Sequence, residues 1–151
     1  MSKKHIRKEI ISHLIDLKSK EIEALEESHK IYADGADLDE ESSLELDDFA
    51  QQTQSTDSAR NLEMRINVAK DNLSFFKNLR PELVDEVTEG NIVFTDKINF
   101  VIGLAIKDFD LDGEKFIGIS TEAPIFSVLE GKYEGDIVEF NDIKYTIKEI
   151  L

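Results

Sequence analysis

Asp37-Leu38-Asp39-Glu40-Glu41 places four carboxylates within five residues, and from Asp34 to Asp48 there are eight acidic residues and no basic one. Carboxylate oxygens are hard donors. A group of them can help to hold Mg²⁺ and to orient a water for attack. A simpler use competes with this one. Asp37 can cap the first turn of a helix, with Glu40 three residues on as the carboxylate half of a capping box. Further acids there complement the positive end of the helix dipole, each worth about 0.3–1 kcal/mol. Capping accounts for two or three acids, not eight. The remainder repel one another and suit a segment that presents carboxylates to a metal ion held by another protein.

Other candidate chemistry is weaker. Asp108-Phe109-Asp110-Leu111-Asp112-Gly113 opens like a calcium-binding EF-hand loop. Position twelve of that loop is Ile119, so the bidentate carboxylate is missing, and the flanks read as strands. A hairpin turn is the better reading. His5, His13 and His29 share one helix at spacings of 8 and 16, and none has the i,i+4 partner of a helical zinc site. There is no cysteine, hence no disulfide, thiol nucleophile or cysteine-ligated metal. No Ser-His-acid set or Gly-rich phosphate loop is present, and the chain carries no active site of its own.

The elements that position the acidic segment can be read from periodicity. From Ile6 to about Tyr32, apolar residues recur in steps of four and three (Ile10, Leu14, Leu17, then Leu25 and Tyr32), which predicts an amphipathic helix. Ala33-Asp34-Gly35-Ala36-Asp37 is expected to end it, with Gly35 as C-cap. A second helix is expected from about Asp39 to Leu79, with the seam Leu62, Ile66, Ala69, Leu73 and Phe76. From Asn91 the period becomes two, and Asp112-Gly113 and Asn141-Asp142 separate strand-like runs as hairpin turns. Pro124–Glu130 reads as a short helix ending at Gly131. The fold class is therefore α+β: an N-terminal antiparallel coiled-coil hairpin (residues 1–80, acidic tip 34–48), a linker (81–90) and a small antiparallel β domain with one short helix (91–151).

The charge balance excludes several roles. The formal net charge is −15; residues 1–80 carry 12 basic and 17 acidic residues, and residues 81–151 carry 6 and 16. No broad phosphate-neutralising surface results, so autonomous DNA binding is not expected. No run approaches the roughly 18 apolar residues that cross a bilayer, and the amphipathic start is unlike a signal peptide. A soluble, cytoplasmic protein with no membrane association, monomeric in solution, is the expectation.

The carboxy-terminal run Ser120-Thr121-Glu122-Ala123-Pro124-Ile125-Phe126-Ser127-Val128-Leu129-Glu130-Gly131-Lys132-Tyr133-Glu134-Gly135-Asp136-Ile137-Val138 resembles the signature of the Gre transcript-cleavage factors of bacterial RNA polymerase. Tyr145-Thr146-Ile147-Lys148-Glu149-Ile150 is similar to that family's closing strand, and Ala36-Asp37-Leu38-Asp39-Glu40 to its tip motif. The resemblance implies an FKBP-like β domain that docks on RNA polymerase through Glu122, Ala123 and Pro124, with Ile125 and Phe126 as neighbouring apolar contacts. For Phe126, a place in the domain's own core is an equal reading. The hairpin would enter the polymerase's secondary channel, and Asp37 and Glu40, flanked by Asp39 and Glu41, would share Mg²⁺ with the polymerase active site. The RNA 3′ end would be contacted only indirectly, within the polymerase. The chain would then be no enzyme, but an activator of the polymerase's own cleavage of backtracked RNA. Glu41 stands where the family has Asn, Ser42-Ser43-Leu44 where it has Ala-Glu-Tyr, and Ala123 where it has Ser. An inhibitor of the same shape that binds the channel without stimulating cleavage is the alternative. A prolyl isomerase or chaperone is a third, and it needs an aromatic-lined pocket.

Overall fold

Long stretches free of proline and apolar at helical spacing fold as helix. The computed structural model describes residues 2–36 and 46–151, with side chains described for 2–34 and 57–151. Helix α1 is Lys3–Ala36 and helix α2 is Leu46–Lys77, each roughly 50 Å long at 1.5 Å per residue. The polar stretch Gln51–Thr56 is helical, as expected. The helix also continues through Gly35 instead of ending at it. One glycine costs only about 1 kcal/mol relative to alanine, and it lies between good helix formers, Ala33 and Ala36.

The chain divides into two compact units, one of His13–Asn78 and one of Met1–Ser12 with Leu79–Leu151. The first boundary falls inside α1, whereas periodicity alone put residues 1–80 in one module. In the helical unit, α2 buries Leu62, Ile66, Ala69 and Phe76 and half-buries Leu73, the expected seam. Leu62, Ile66 and Ala69 cluster with Ile22 and Leu25 of α1. Glu26 pairs with Lys70 at 3.3 Å, and His29 with Glu63 at 3.3 Å. Rising numbers on α1 thus meet falling numbers on α2: the helices are antiparallel.

The α1 seam differs from the expected one. Leu17 and Tyr32 are 39% and 43% exposed, while Ile22 is buried. At 100° per residue, Leu17 lies about 140° around the helix from Ile22, so the stripe through positions 14, 18, 22 and 25 leaves Leu17 outside. Lys18 occupies the gap in that stripe: its side chain is only 15% exposed, with its ammonium 2.9 Å from Glu21. The aliphatic stem does the covering that a Leu would do.

The other unit is a six-stranded sheet. Its strands are β1 (Ile92–Thr95), β2 (Asn99–Gly103), β3 (Ile106–Leu111), β4 (Glu114–Ser120), β5 (Ile137–Phe140) and β6 (Ile143–Ile150). Helix α3, Pro124–Leu129, lies between β4 and β5 in sequence. The order is β3-β4-β2-β1-β6-β5. Asp112 and Gly113 (φ 51° and 80°) turn β3 into β4, and Asn141 and Asp142 (φ 51° and 64°) turn β5 into β6. Both are the positive-φ hairpin turns expected of these dipeptides.

One pairing corrects the all-antiparallel expectation: β2 and β4 run parallel, Asn99 opposite Phe116 through Gly103 opposite Ser120. The run Ile98–Lys107 is not one strand. It breaks after Gly103 (φ 137°). The acidic β3 takes the sheet edge, where Asp108 and Asp110 stay in water, and the apolar β4 returns between β3 and β2. A bulge in β3 between Ile106 and Phe109 accommodates the bend.

Gly118 makes this crossing fit. A Cβ there would stand 2.5 Å from both Ile106 Cβ and the Leu104 carbonyl oxygen. Gly118→Ala is therefore expected to destabilise this unit by about 1–3 kcal/mol through overpacking, read as a lowered denaturant midpoint at unchanged m-value. A midpoint within error of wild type would show that β3 yields freely.

Candidate functional site

The loop from Ser120 to Pro124 is shaped by proline. Ala123 is extended (φ −65°, ψ 137°), as a residue preceding proline must be, and Pro124 opens α3. No side chain caps the helix, because Ala123 at the cap position has no acceptor to offer. Backbone bonds hold the turn: Ala123 N–H donates to the Ser120 carbonyl at 3.1 Å, and Phe126 N–H to the Ala123 carbonyl at 3.0 Å.

The five residues assigned here to partner contact separate by burial. Glu122 and Pro124 are exposed, Ala123 and Ile125 are half-buried against the core, and Phe126 is only 7% exposed. Phe126 packs with Leu129, Val138, Tyr145 and Ile147 in the sheet's main core. Of its two readings, the core one describes its place. The exposed part of this loop is Glu122 and Pro124, with the edge of Ile125.

The Gly131–Asp136 segment is held together by its own bonds and turns. Gly131 and Gly135 have φ of 75° and 92°, values that favour glycine. Asp136 Oδ2 accepts from Tyr133 N–H at 2.8 Å, and Gly135 N–H donates to the Ile147 carbonyl at 2.7 Å. Glu134 Oε1 accepts from Ile150 N–H at 3.1 Å and from the Lys3 ammonium. These two donors hold the Glu134 carboxyl below its ordinary value, and the carboxylate raises the Lys3 ammonium in turn. The signature residues here shape a loop.

Asp37, Asp39, Glu40 and Glu41 lie outside the described residues. Of the histidines, His5 sits 3.1 Å from Glu9 and His29 pairs with Glu63. Asp108 is 3.6 Å from Lys115, across the hairpin. Among the described residues no group of three His, Asp or Glu is placed to hold a metal ion, and no helix is long and apolar enough to cross a membrane.

Sequence reasoning passed over Arg7. It is 3% exposed, and its guanidinium donates to the carbonyls of Gly90 at 2.7 Å, Arg80 at 3.1 Å and Leu151 at 3.2 Å. Burial first, and the neighbouring Arg80 second, lower its pKa. Arg80 in turn donates to the Glu89 carbonyl and, at 3.0 Å, to Asn91 Oδ1. The buried Asn91 donates to the Leu151 carbonyl at 3.1 Å and accepts from Thr88 N–H at 2.9 Å. A signal was available: Arg7 lies three residues before Ile10 and seven before Leu14, so it interrupts their apolar stripe.

No family model matches the sequence, and no curated protein matches it. Among solved structures, a crystal structure of GreA factor homolog 1 (Gfh1) of Thermus thermophilus is 17% identical, with 93% of this chain and 94% of that one covered, at a TM-score of 0.33. Nothing about function follows from so loose a likeness.

Two outcomes test the anchoring. Arg7→Met is expected to cost about 2–4 kcal/mol, since buried carbonyls lose a donor at about 1–3 kcal/mol each. Arg7→Lys should recover only part, because an ammonium cannot span three acceptors; equal stability of the Lys variant would show that the fork is dispensable. Acid supplies the second. Glu134 and Asp96, the latter bonded to Thr146 N–H at 2.8 Å, sit below their ordinary values of 4.5 and 3.8. Their contribution is complete above those values and is lost as pH falls through the lower folded ones. Chemical denaturation between pH 5 and about 2 should show this fall, and Glu134→Gln with Asp96→Asn should flatten it.

Proposed function

We propose that this protein is a Gre-like transcription elongation factor that docks on bacterial RNA polymerase and stimulates cleavage of backtracked RNA, without being an enzyme itself. The observation that carries this reading is the antiparallel pairing of two helices of roughly 50 Å, fixed by Glu26–Lys70 and His29–Glu63. The sequence joining them holds Asp37, Asp39, Glu40 and Glu41. Such a pair suits delivery of carboxylates into a site that belongs to another molecule. The resemblance of the 120–138 run to the family signature supports the same reading.

Asp37 and Glu40 are the residues that would hold Mg²⁺ together with polymerase groups; as hard oxygen donors they suit that ion. When bound, the ion lowers the pKa of water and stabilises developing negative charge. This chain adds negative charge at the metal and acceptors that orient water. Glu122 and Pro124 would contact the polymerase, with Ile125 at the margin. The isomerase reading calls for an aromatic-lined pocket, and Phe100, Phe126 and Tyr145 are packed in the main core at 3%, 7% and 8% exposed.

A stalled elongation complex tests the proposal. Addition of the protein should shorten the RNA and release 3′ fragments, and Asp37→Ala with Glu40→Ala should reduce fragment release at least tenfold while polymerase binding is retained. Slower nucleotide addition without fragments would establish the inhibitor instead, and absence of polymerase binding would end both readings.

A further inference from the structure

On the sheet face opposite α3 lies an open cavity of about 310 Å³, formed wholly within the unit of residues 1–12 and 79–151. Its floor is apolar: Ile6 and Ile10 from α1, Phe94 from β1, Leu111 from β3 and Phe116 from β4. Phe116 is fixed by edge-on contact with Phe94 (5.6 Å between ring centroids) and by stacking on Phe109 (5.3 Å). The rest of the lining is Glu9, Asp112, Glu114 and Glu149, all exposed. No lining residue is basic.

These acids are not a chelating set, for no three acids or histidines among the described residues are placed to hold a metal. They come from α1, the β3–β4 turn, the start of β4 and β6, and so surround the floor. Glu9 is paired with His5, and Glu114 accepts from Asn99 Nδ2. Lys3 is within electrostatic reach of Glu149 but is bonded to Glu134. Asp112 and Glu149 remain available to an incoming cation.

We infer that this cavity docks a basic, apolar-centred segment of a partner protein: one aromatic or aliphatic side chain on the Ile6–Ile10–Phe94–Leu111–Phe116 floor, with flanking Lys or Arg on the carboxylates. The volume lies at the small end of ligand pockets, roughly 300 Å³ and upward, which suits one or two side chains. Carboxylates spread around the rim call for several cations about one apolar group. A peptide supplies both, and its charges would be steered in by a chain of net charge −15. The inference does not rest on the proposed role in transcription.

The test uses the full chain and a fluorescein-labelled, end-blocked peptide Lys-Arg-Phe-Leu-Arg-Lys, followed by anisotropy at physiological salt. Saturable binding is expected, at least fivefold weaker for Asp112→Asn with Glu149→Gln and less than twofold weaker for Glu130→Gln with Glu139→Gln, which removes the same charge elsewhere. Replacing Phe-Leu in the peptide by Ser-Ser should weaken binding at least fivefold. Equal loss in the two double variants, or no loss with the Ser-Ser peptide, would reduce the attraction to diffuse charge and overturn the inference. So would absence of saturable binding. Phenethylamine that bound as tightly as the peptide, with the same dependence on Asp112 and Glu149, would make the cavity a small-amine site and overturn the peptide assignment.

Discussion

A single buried cation organises the sheet-containing unit. The Arg7 guanidinium leaves water to meet three backbone carbonyls and no side-chain carboxylate. Its cost of desolvation is offset only by geometry, because a planar fork of five donors can reach acceptors that diverge in direction. Those acceptors belong to Arg80, Gly90 and Leu151, segments far apart in sequence. Gly90 has φ 91°, which strains any other residue, and a Cβ there would stand 2.7 Å from Arg80 Nη1 and push that guanidinium aside. Asn91 then extends the network to Thr88 and the Leu151 carbonyl. The first turns of α1 are thus part of the sheet unit through hydrogen bonds that tolerate little substitution, and this is why the boundary between the units falls within α1.

The same anchoring accounts for the sheet having two occupied faces. Alternation sends Val93, Ile119 and Ile147 toward the core with α3, and it sends Phe94 and Phe116 to the side where Ile6 and Ile10 line the cavity. On this side Phe116, 2% exposed, is packed against Phe94 and Phe109. Burying a side chain of that size is worth about 1.5–3 kcal/mol. The hydrogen bonds of Arg7 place the first turns of α1, and Ile6 and Ile10 line the same cavity as the Phe116 ring.

Much of this was legible in the residues. The α2 seam, both positive-φ turns, the short helix begun by Pro124 and the closing strand follow from local pattern, and each is an element whose cause is local. What pattern missed has non-local causes. Leu17 looked like a seam residue because leucine is usually covered, yet Lys18 covers the seam with its stem. Ile98–Lys107 alternates as one strand should, and only the competition between acidic β3 and apolar β4 for the interior position divides it. The bonding of Arg7 carries no such local mark, because its acceptors are backbone atoms 73, 83 and 144 residues away, which have no side-chain signature. At the candidate site, spacing could not tell that Phe126 faces inward while Glu122 and Pro124 face out. The tip carboxylates are legible only as a pattern of charge.

Charge distribution connects the two proposals physically. A chain at −15 is repelled by the phosphates of nucleic acid, so the approach to a polymerase proposed above would have to be directed by contacts with protein. Long-range attraction to basic surfaces raises the rate of encounter but selects little, because every exposed acid contributes and salt screens them all. Selectivity requires that some acids be coupled to a shape. In the sheet unit that coupling exists where Asp112 and Glu149 border an apolar floor, since a cation can gain there only if its neighbour also fits the cavity. Between the helices it would exist if carboxylates meet a metal that the partner holds in place. In both cases the acid supplies attraction and a second, shorter-range fit decides what is bound, which is how a uniformly negative protein can still be specific.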